Sequence, residues 1–187
     1  MKKLILASAS PRRKELLSQL GYVFDVVVSD YYEKVFSNNP VEVAKTFAFE
    51  KAQSVFNGVQ EKNNVVVLGV DTVVYYNGEI LMKEENRNNA FATLKKLSGK
   101  KHTVISGFSI ITNDNVYTDY DLSEVVFNNL SDEDINKYLD SELYKGKAGC
   151  YGIQDGYSLV KEYHGSLNNV IGLPTEKIIN ILDVFLR

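Results

Sequence analysis

Ser8-Ala9-Ser10-Pro11-Arg12-Arg13 sets two hydroxyls and two guanidiniums side by side where an apolar run gives way to a helix start. A helix N-terminus carries free backbone N–H groups and the positive end of the helix dipole, so it suits an anion. Arginine forks match phosphate oxygens in two-point contacts. Ser8, Ser10, Arg12 and Arg13 are therefore candidate phosphate ligands. A plain cap with two exposed arginines is the alternative. Cations are disfavoured in a first helical turn, however, and a bound phosphate would give both a reason to be there. Asp71 follows the apolar run Val65–Val70 and is read as standing at the carboxyl end of a central strand, where open α/β sheets bind ligands. A carboxylate there can take a proton from water or hold a divalent cation. It would equally suit a turn before a hairpin. Glu33, Lys51 and Lys83 are ordinary solvated charges when taken singly. Taken with Asp71 they supply the acids and cations that a metal-bound triphosphate requires. Gln154, in the glycine-rich run Lys147–Gly156, offers an amide suited to a base edge, although an ordinary turn explains that run as well.

Other reactive types read as structural. His102 and His164 have no metal-ligand spacing to any cysteine, and Cys150 reads as a buried thiol. No P-loop, dinucleotide fingerprint or nucleophile elbow is present in the sequence.

The elements that must position these groups follow from periodicity. Lys3–Ala7 reads as a buried strand. Ser10 at the cap, Pro11 in the first turn and Gly21 past the end bound a helix. Tyr22–Val28 reads as a strand, Tyr31–Asn39 as a loop, and Pro40 to about Gly58 as a helix with apolar residues at helical spacing. Val65–Val70 has the pattern of a strand buried on both faces, stopped by Asp71-Thr72. Asn77-Gly78 marks a hairpin between Val73–Tyr76 and Glu79–Met82. A helix over Asn86–Leu97, strands over His102–Thr112 and Val116–Phe127, and a helix starting at Ser131 come next. Glu142–Asp155 is irregular, Tyr157–Tyr163 alternates like a half-buried strand, and Pro174 opens a last helix. Strands alternate with helices and then run together, which predicts an α/β fold with a mixed sheet.

Composition sets the class. The 187 residues carry a net charge of −3, 44% hydrophobic and 24% charged residues, and one cysteine. These values describe a globular chain without an intrachain disulfide. They argue against a polymeric nucleic-acid partner, which favours a net basic balance. The apolar stretch after Met1-Lys2-Lys3 is too short for a signal peptide, and no run reaches the ~20 residues of a membrane span. A soluble cytoplasmic protein of one domain over residues 1–187 is the expectation.

Seven blocks in order resemble the Maf family of nucleoside triphosphate pyrophosphatases. They are Leu6–Arg13 with Leu16-Leu17; Glu50-Lys51-Ala52; Gly69–Val74; Gly78–Lys83; Leu97–Lys100 with His102 and Val104; Lys147–Gln154; and Asn169–Pro174. The resemblance implies a mixed, strongly twisted sheet with flanking helices, forming two lobes around a cleft. It implies hydrolysis between the α- and β-phosphates with a divalent cation, Mg2+ or Mn2+, in a cytoplasmic and often homodimeric protein. Asp71 falls on the family's proton acceptor. Ser8, Arg12, Arg13, Glu33, Lys51 and Lys83 fall on its phosphate- and metal-handling positions, with Glu33 and Asp71 as the metal pair. Arg12, Thr72 and Gln154 match the branch that prefers dTTP and UTP, whereas another branch with different residues there prefers 7-methyl-GTP. The Maf name is also linked to septum inhibition, so a nucleotide-binding regulator of cell division is the rival from another class. The chain departs from the family pattern at Tyr32, Glu84, Gly146 and Cys150.

Overall fold

The computed structural model describes residues 2–187. A seven-stranded mixed sheet forms the frame, with strand order β2-β1-β3-β5-β6-β7 and β4 attached to β3. Strand β1 (Lys3–Ala7) lies parallel to both β2 (Phe24–Val26) and β3 (Val65–Tyr76). Strands β4 (Glu79–Leu81), β5 (Lys101–Ile111), β6 (Val116–Phe127) and β7 (Val160–His164) are antiparallel to their neighbours. The helices are α1 (Pro11–Gln19), α2 (Pro40–Asn57), α3 (Arg87–Leu97), α4 (Asp132–Asp140), α5 (Leu167–Ile171) and α6 (Thr175–Leu186). This is the mixed α/β architecture that the pattern predicts.

The strand expected to stop at Asp71-Thr72 does not stop. β5 pairs with β3 continuously from Val67↔Ile111 to Tyr75↔Thr103, passing through Asp71↔Gly107, so the ladder carries the chain across the polar residues. The opposite edge of β3 behaves differently. β1 covers it as far as Gly69, and β4 takes it up again at Val74. Residues 70–73 are therefore paired on one edge and open on the other, and Asp71 stands mid-strand rather than at a strand end.

Two apolar cores lie on either side of this interval. One gathers Leu4, Leu6, Val66, Leu68 and Phe108 with Leu17 of α1 and Ile178 and Leu182 of α6. The other gathers Leu94, Leu97, Val104, Val125, Phe127, Ile135 and Leu139 around α3 and α4. Helix α4 starts on a capping box, in which Ser131 and Asp134 satisfy each other's backbone N–H.

Smaller departures have local causes. The strand expected over Tyr22–Val28 forms only at Phe24–Val26, because β1 offers partners only from Leu4 to Leu6. The strand expected from Tyr157 begins at Val160, after a tight turn in which Leu159 N–H donates to Tyr157 O at 2.8 Å. Short α5 was not anticipated. Ser166 caps it through Asn169 N–H, and Gly172 ends it at a φ of 122°.

Helix α2 starts at Asn39, whose side chain accepts from Val41 and Glu42 N–H, with Pro40 in the first turn. It lies close on β3 and β5 because two strand positions lack a side chain. A Cβ on Gly69 would meet Ala48 O at 2.2 Å, and one on Gly107 would meet Ala44 O at 2.3 Å. The close approach that Gly69 permits is thus made by a helix, and it lowers Lys51 onto Asp71. Gly107→Ala should push α2 off the sheet and reduce stability by about 1–3 kcal/mol, the usual cost of overpacking. Chemical denaturation measures it, and an unchanged midpoint would contradict the close packing.

Candidate active site

A cleft of about 450 Å³ opens at the exposed interval of β3. Its lining draws on the β1–α1 connection (Ser8, Ser10, Arg12, Arg13), the loop before α2 (Glu33), Lys51, Thr72, Lys83, and the irregular segment at Lys147. Of the sequence-derived site residues, two lie outside this lining. Asp71 is 1% exposed and sits beneath Lys51. Gln154 is exposed.

Acids and lysines alternate along one wall. Lys51 Nζ donates to Asp71 Oδ1 and to Glu33 Oε1, and Lys83 Nζ donates to both oxygens of Glu33 at 3.0 and 3.1 Å. Burial pushes the Glu33 carboxyl up, but Lys51 and Lys83 overrule it and hold it down to about 2. Such pairing is what makes a largely buried acid tolerable.

The start of α1 lines the same cleft. Ser10 occupies the cap position without a side-chain cap bond, so the first-turn N–H groups stay open to an anion. Ser8 Oγ accepts from Ser10 N–H at 3.2 Å and from Arg13 Nη1 at 3.1 Å. Its own proton is what it can offer the cleft. Arg13 is almost fully buried. Its Nε donates to Gly172 O at 2.8 Å and its Nη2 to Thr72 Oγ1 at 3.0 Å. Arg13 therefore ties α1 to β3 and to the end of α5, and much of its donor capacity is committed to the protein. Burial lowers the Arg12 guanidinium from its ordinary value, against the pull of Asp155 and Tyr138.

The Thr72 hydroxyl points its proton one way, at Ser106. Ser106 Oγ donates to Asn169 O at 3.0 Å, which uses its one proton. Thr72 Oγ1, 2.9 Å from Ser106 Oγ, must then be the donor of that pair. Gly172 O, at 3.5 Å, is too distant to compete. Thr72 also accepts from Arg13, so one lone pair is all it can present to the cleft.

Several contributors carried no sequence signal of their own. Lys147 Nζ donates to Asp155 Oδ2, which also accepts from Tyr138 Oη at 2.7 Å. Burial lowers Lys147 despite that partner. Tyr151 lines the cleft, and its hydroxyl lies 2.7 Å from His102 Nε2. The rings of His102, Phe127 and Tyr151 meet edge to face.

Among the described residues, no group of three or more His, Cys, Asp or Glu side chains could hold a metal by itself. Glu33 and Asp71 nevertheless aim one carboxylate oxygen each at a single point, now held by Lys51 Nζ. Two carboxylates completed by phosphate oxygens are a fitting donor set for a hard divalent cation such as Mg2+.

The family model described as Maf-like protein matches residues 3–185. The chain belongs to the Maf family. It is 44% identical over 182 residues to a dTTP/UTP pyrophosphatase of Alkaliphilus oremlandii, covering 95% of this chain and 93% of that one. It is 40% identical over 181 residues to a protein of the same name from Aquifex aeolicus, covering 96% and 94% of the two chains. It is also 40% identical over 187 residues to one from Bacillus cereus, covering 99% and 91%.

The departures from the Maf pattern now have places. Glu84 accepts from Asn89 Nδ2 at 3.2 Å, so its charge is turned to the start of α3 rather than onto Lys83. Gly146 has a φ of 68°, which a glycine adopts freely. Cys150 is fully buried at a φ of 63°, and burial pushes its thiol up to about 11, far from a nucleophile's range. Tyr32 is 83% exposed and takes no part in the acid–lysine wall.

Burial lowers His102 to about 4, partly offset by the Lys100 backbone, against an ordinary 6.5. Between those values the unfolded chain binds the extra proton and the folded one does not, so stability falls as pH drops through that window. The expected slope is about 1.4 kcal/mol per pH unit. His102→Gln should flatten the denaturation profile between pH 6.5 and 4, and parallel profiles would contradict a neutral buried imidazole.

Proposed function

We propose that this Maf-family chain hydrolyses dTTP and UTP to the nucleoside monophosphate and pyrophosphate. The observation that carries the reading is one cleft lined both by Lys51, Glu33 and Lys83, with Asp71 held beneath Lys51, and by the open first turn of α1. A phosphate chain lying between them meets N–H groups and the Ser8 hydroxyl on one side and two ammonium groups on the other. Arg12 and Lys147 flank it.

In this reading Asp71 is the general base. Water attacks the α-phosphorus in line. A new O–P bond forms as the bond from the α-phosphorus to the bridging oxygen breaks. Asp71 takes the water's proton, and pyrophosphate leaves with the electron pair. For Asp71 to accept that proton, Lys51 must turn from its carboxylate to the phosphate, which offers the ammonium a better-charged partner. Arg12, Lys83 and Lys147 offset charge on the phosphate oxygens. Glu33 and Asp71 would hold a divalent cation, which when bound acidifies water and neutralises phosphate charge.

Base choice follows from Thr72 and Arg12, the two specificity positions that line the cleft. A hydroxyl limited to accepting suits a ring N–H. Uracil and thymine carry one at N3, and cytosine has an acceptor there. Gln154 joins the base in this reading only when the segment around it closes over the cleft. No helix among the described residues is long and apolar enough to cross a membrane.

A nucleotide panel with added Mg2+ or Mn2+, read for pyrophosphate against orthophosphate, tests the reading. UTP and dTTP should release pyrophosphate, CTP and 7-methyl-GTP much less. Binding of UTP without release would instead indicate a regulator. Asp71→Asn should keep the fold by circular dichroism and lose about 10²–10⁴-fold in turnover, the range for a general base. Wild-type turnover in that variant would remove Asp71 from the role.

A further inference from the structure

We infer that Lys51 closes the cation locus of the free protein, so that a divalent cation enters it only together with the triphosphate. The inference rests on the pyrophosphatase reading and adds an order of binding to it.

Three observations meet at Lys51. Its ammonium bonds Asp71 and Glu33 at once, so it stands at the point where their oxygens converge. The three side chains are 11%, 2% and 19% exposed, which puts the exchange of one cation for another out of easy reach of solvent. Among the described residues, no group of three or more His, Cys, Asp or Glu side chains could hold a metal, so a cation would find two carboxylates there and no third.

Entry of a cation into the free protein would therefore have to expel Lys51 while gaining few ligands. The displaced ammonium would be left beside two carboxylates now committed elsewhere, in a largely buried place. Asp71 and Glu33 are the acids that face it. Lys83, which bonds Glu33, is cationic and gives it no partner, and Tyr31, which lines the same cleft and feels the charge of Lys51, brings no carboxylate. A triphosphate changes each term. Its oxygens accept Lys51, and they complete the coordination that two carboxylates leave open. Lys51 thus serves as an internal counter-ion to both acids until substrate charge draws it away. The coupling is reciprocal, so the cation must tighten nucleotide binding by the factor by which nucleotide tightens the cation's.

The test titrates Mn2+ into the protein without nucleotide and follows free Mn2+ by electron paramagnetic resonance. Lys51→Met should take up one Mn2+ at least tenfold more tightly than wild type, and adding Glu33→Gln in that background should abolish the gain. Equal affinities of wild type and Lys51→Met would overturn the inference. A thermal melt of the wild type keeps the test independent of whether that variant folds. Mn2+ alone should leave the midpoint unmoved, and Mn2+ with α,β-imido-UTP should raise it beyond the analogue alone. A shift by Mn2+ alone as large as that with the analogue would overturn the inference as well. Pyrophosphate release from UTP is measured on the same preparation. Its absence would count against the pyrophosphatase reading, whereas turnover with tight Mn2+ binding to the free wild type would count against Lys51 alone.

Discussion

One strand carries the whole arrangement. β3 is hydrogen-bonded along one edge by β5, while its other edge is shared by β1 and β4 with an unpaired interval between them. A sheet edge normally has to be paired, covered or blunted. Here the open interval is where the β1–α1 connection swings away and where the cleft forms. The continuous pairing with β5 makes the floor rigid, and the gap makes it accessible. Asp71 and Thr72 lie in that interval with opposite consequences, one carboxylate directed to Lys51 and one hydroxyl directed to Arg13 and Ser106.

The electrostatics follow from burial. A carboxyl group as enclosed as that of Asp71 needs a polar partner, and α2 supplies it because Gly69 and Gly107 let the helix come within backbone contact of the sheet. The same closeness spaces Lys51 between two acids, and Lys83 completes the row from the far side of the β3–β4 hairpin. Arg13 performs the corresponding task at the start of α1. Its buried guanidinium joins the β1–α1 connection to β3 and to the residue after α5, both far from it in the chain. A charge spent on positioning in this way leaves Arg12 as the guanidinium of the pair that faces the cleft more freely.

Much of this was legible in the residues. The caps at Ser10 and Ser131, Pro40 at the start of α2 and the Asn77-Gly78 hairpin fixed element limits through local chemistry. The apolar run of β3 identified the central strand. What local chemistry could not reveal was pairing. Nothing in Asp71-Thr72 says that a strand passes through two polar residues, since the reason lies in β5, some thirty residues on. Gly69 advertised a close approach, and the sequence could not say that a helix rather than a ligand makes it. Arg12 and Arg13 look alike as neighbours, yet only the tertiary contacts of Arg13 with Thr72 and Gly172 separate a positioning arginine from a substrate-facing one. Asp155 and Lys147 form a buried pair across a glycine-rich turn whose course no periodicity encodes. Gln154, chosen for its amide, lies outside the lining because that turn points it to solvent.

The most direct test of the account is a crystal structure of the protein with α,β-imido-UTP and Mg2+. The α-phosphate should lie between the first turn of α1 and the Asp71 carboxylate, with the Lys51 ammonium on a phosphate oxygen. A triphosphate bound away from the open interval of β3, or one that leaves Lys51 bridging Asp71 and Glu33 undisturbed, would contradict it.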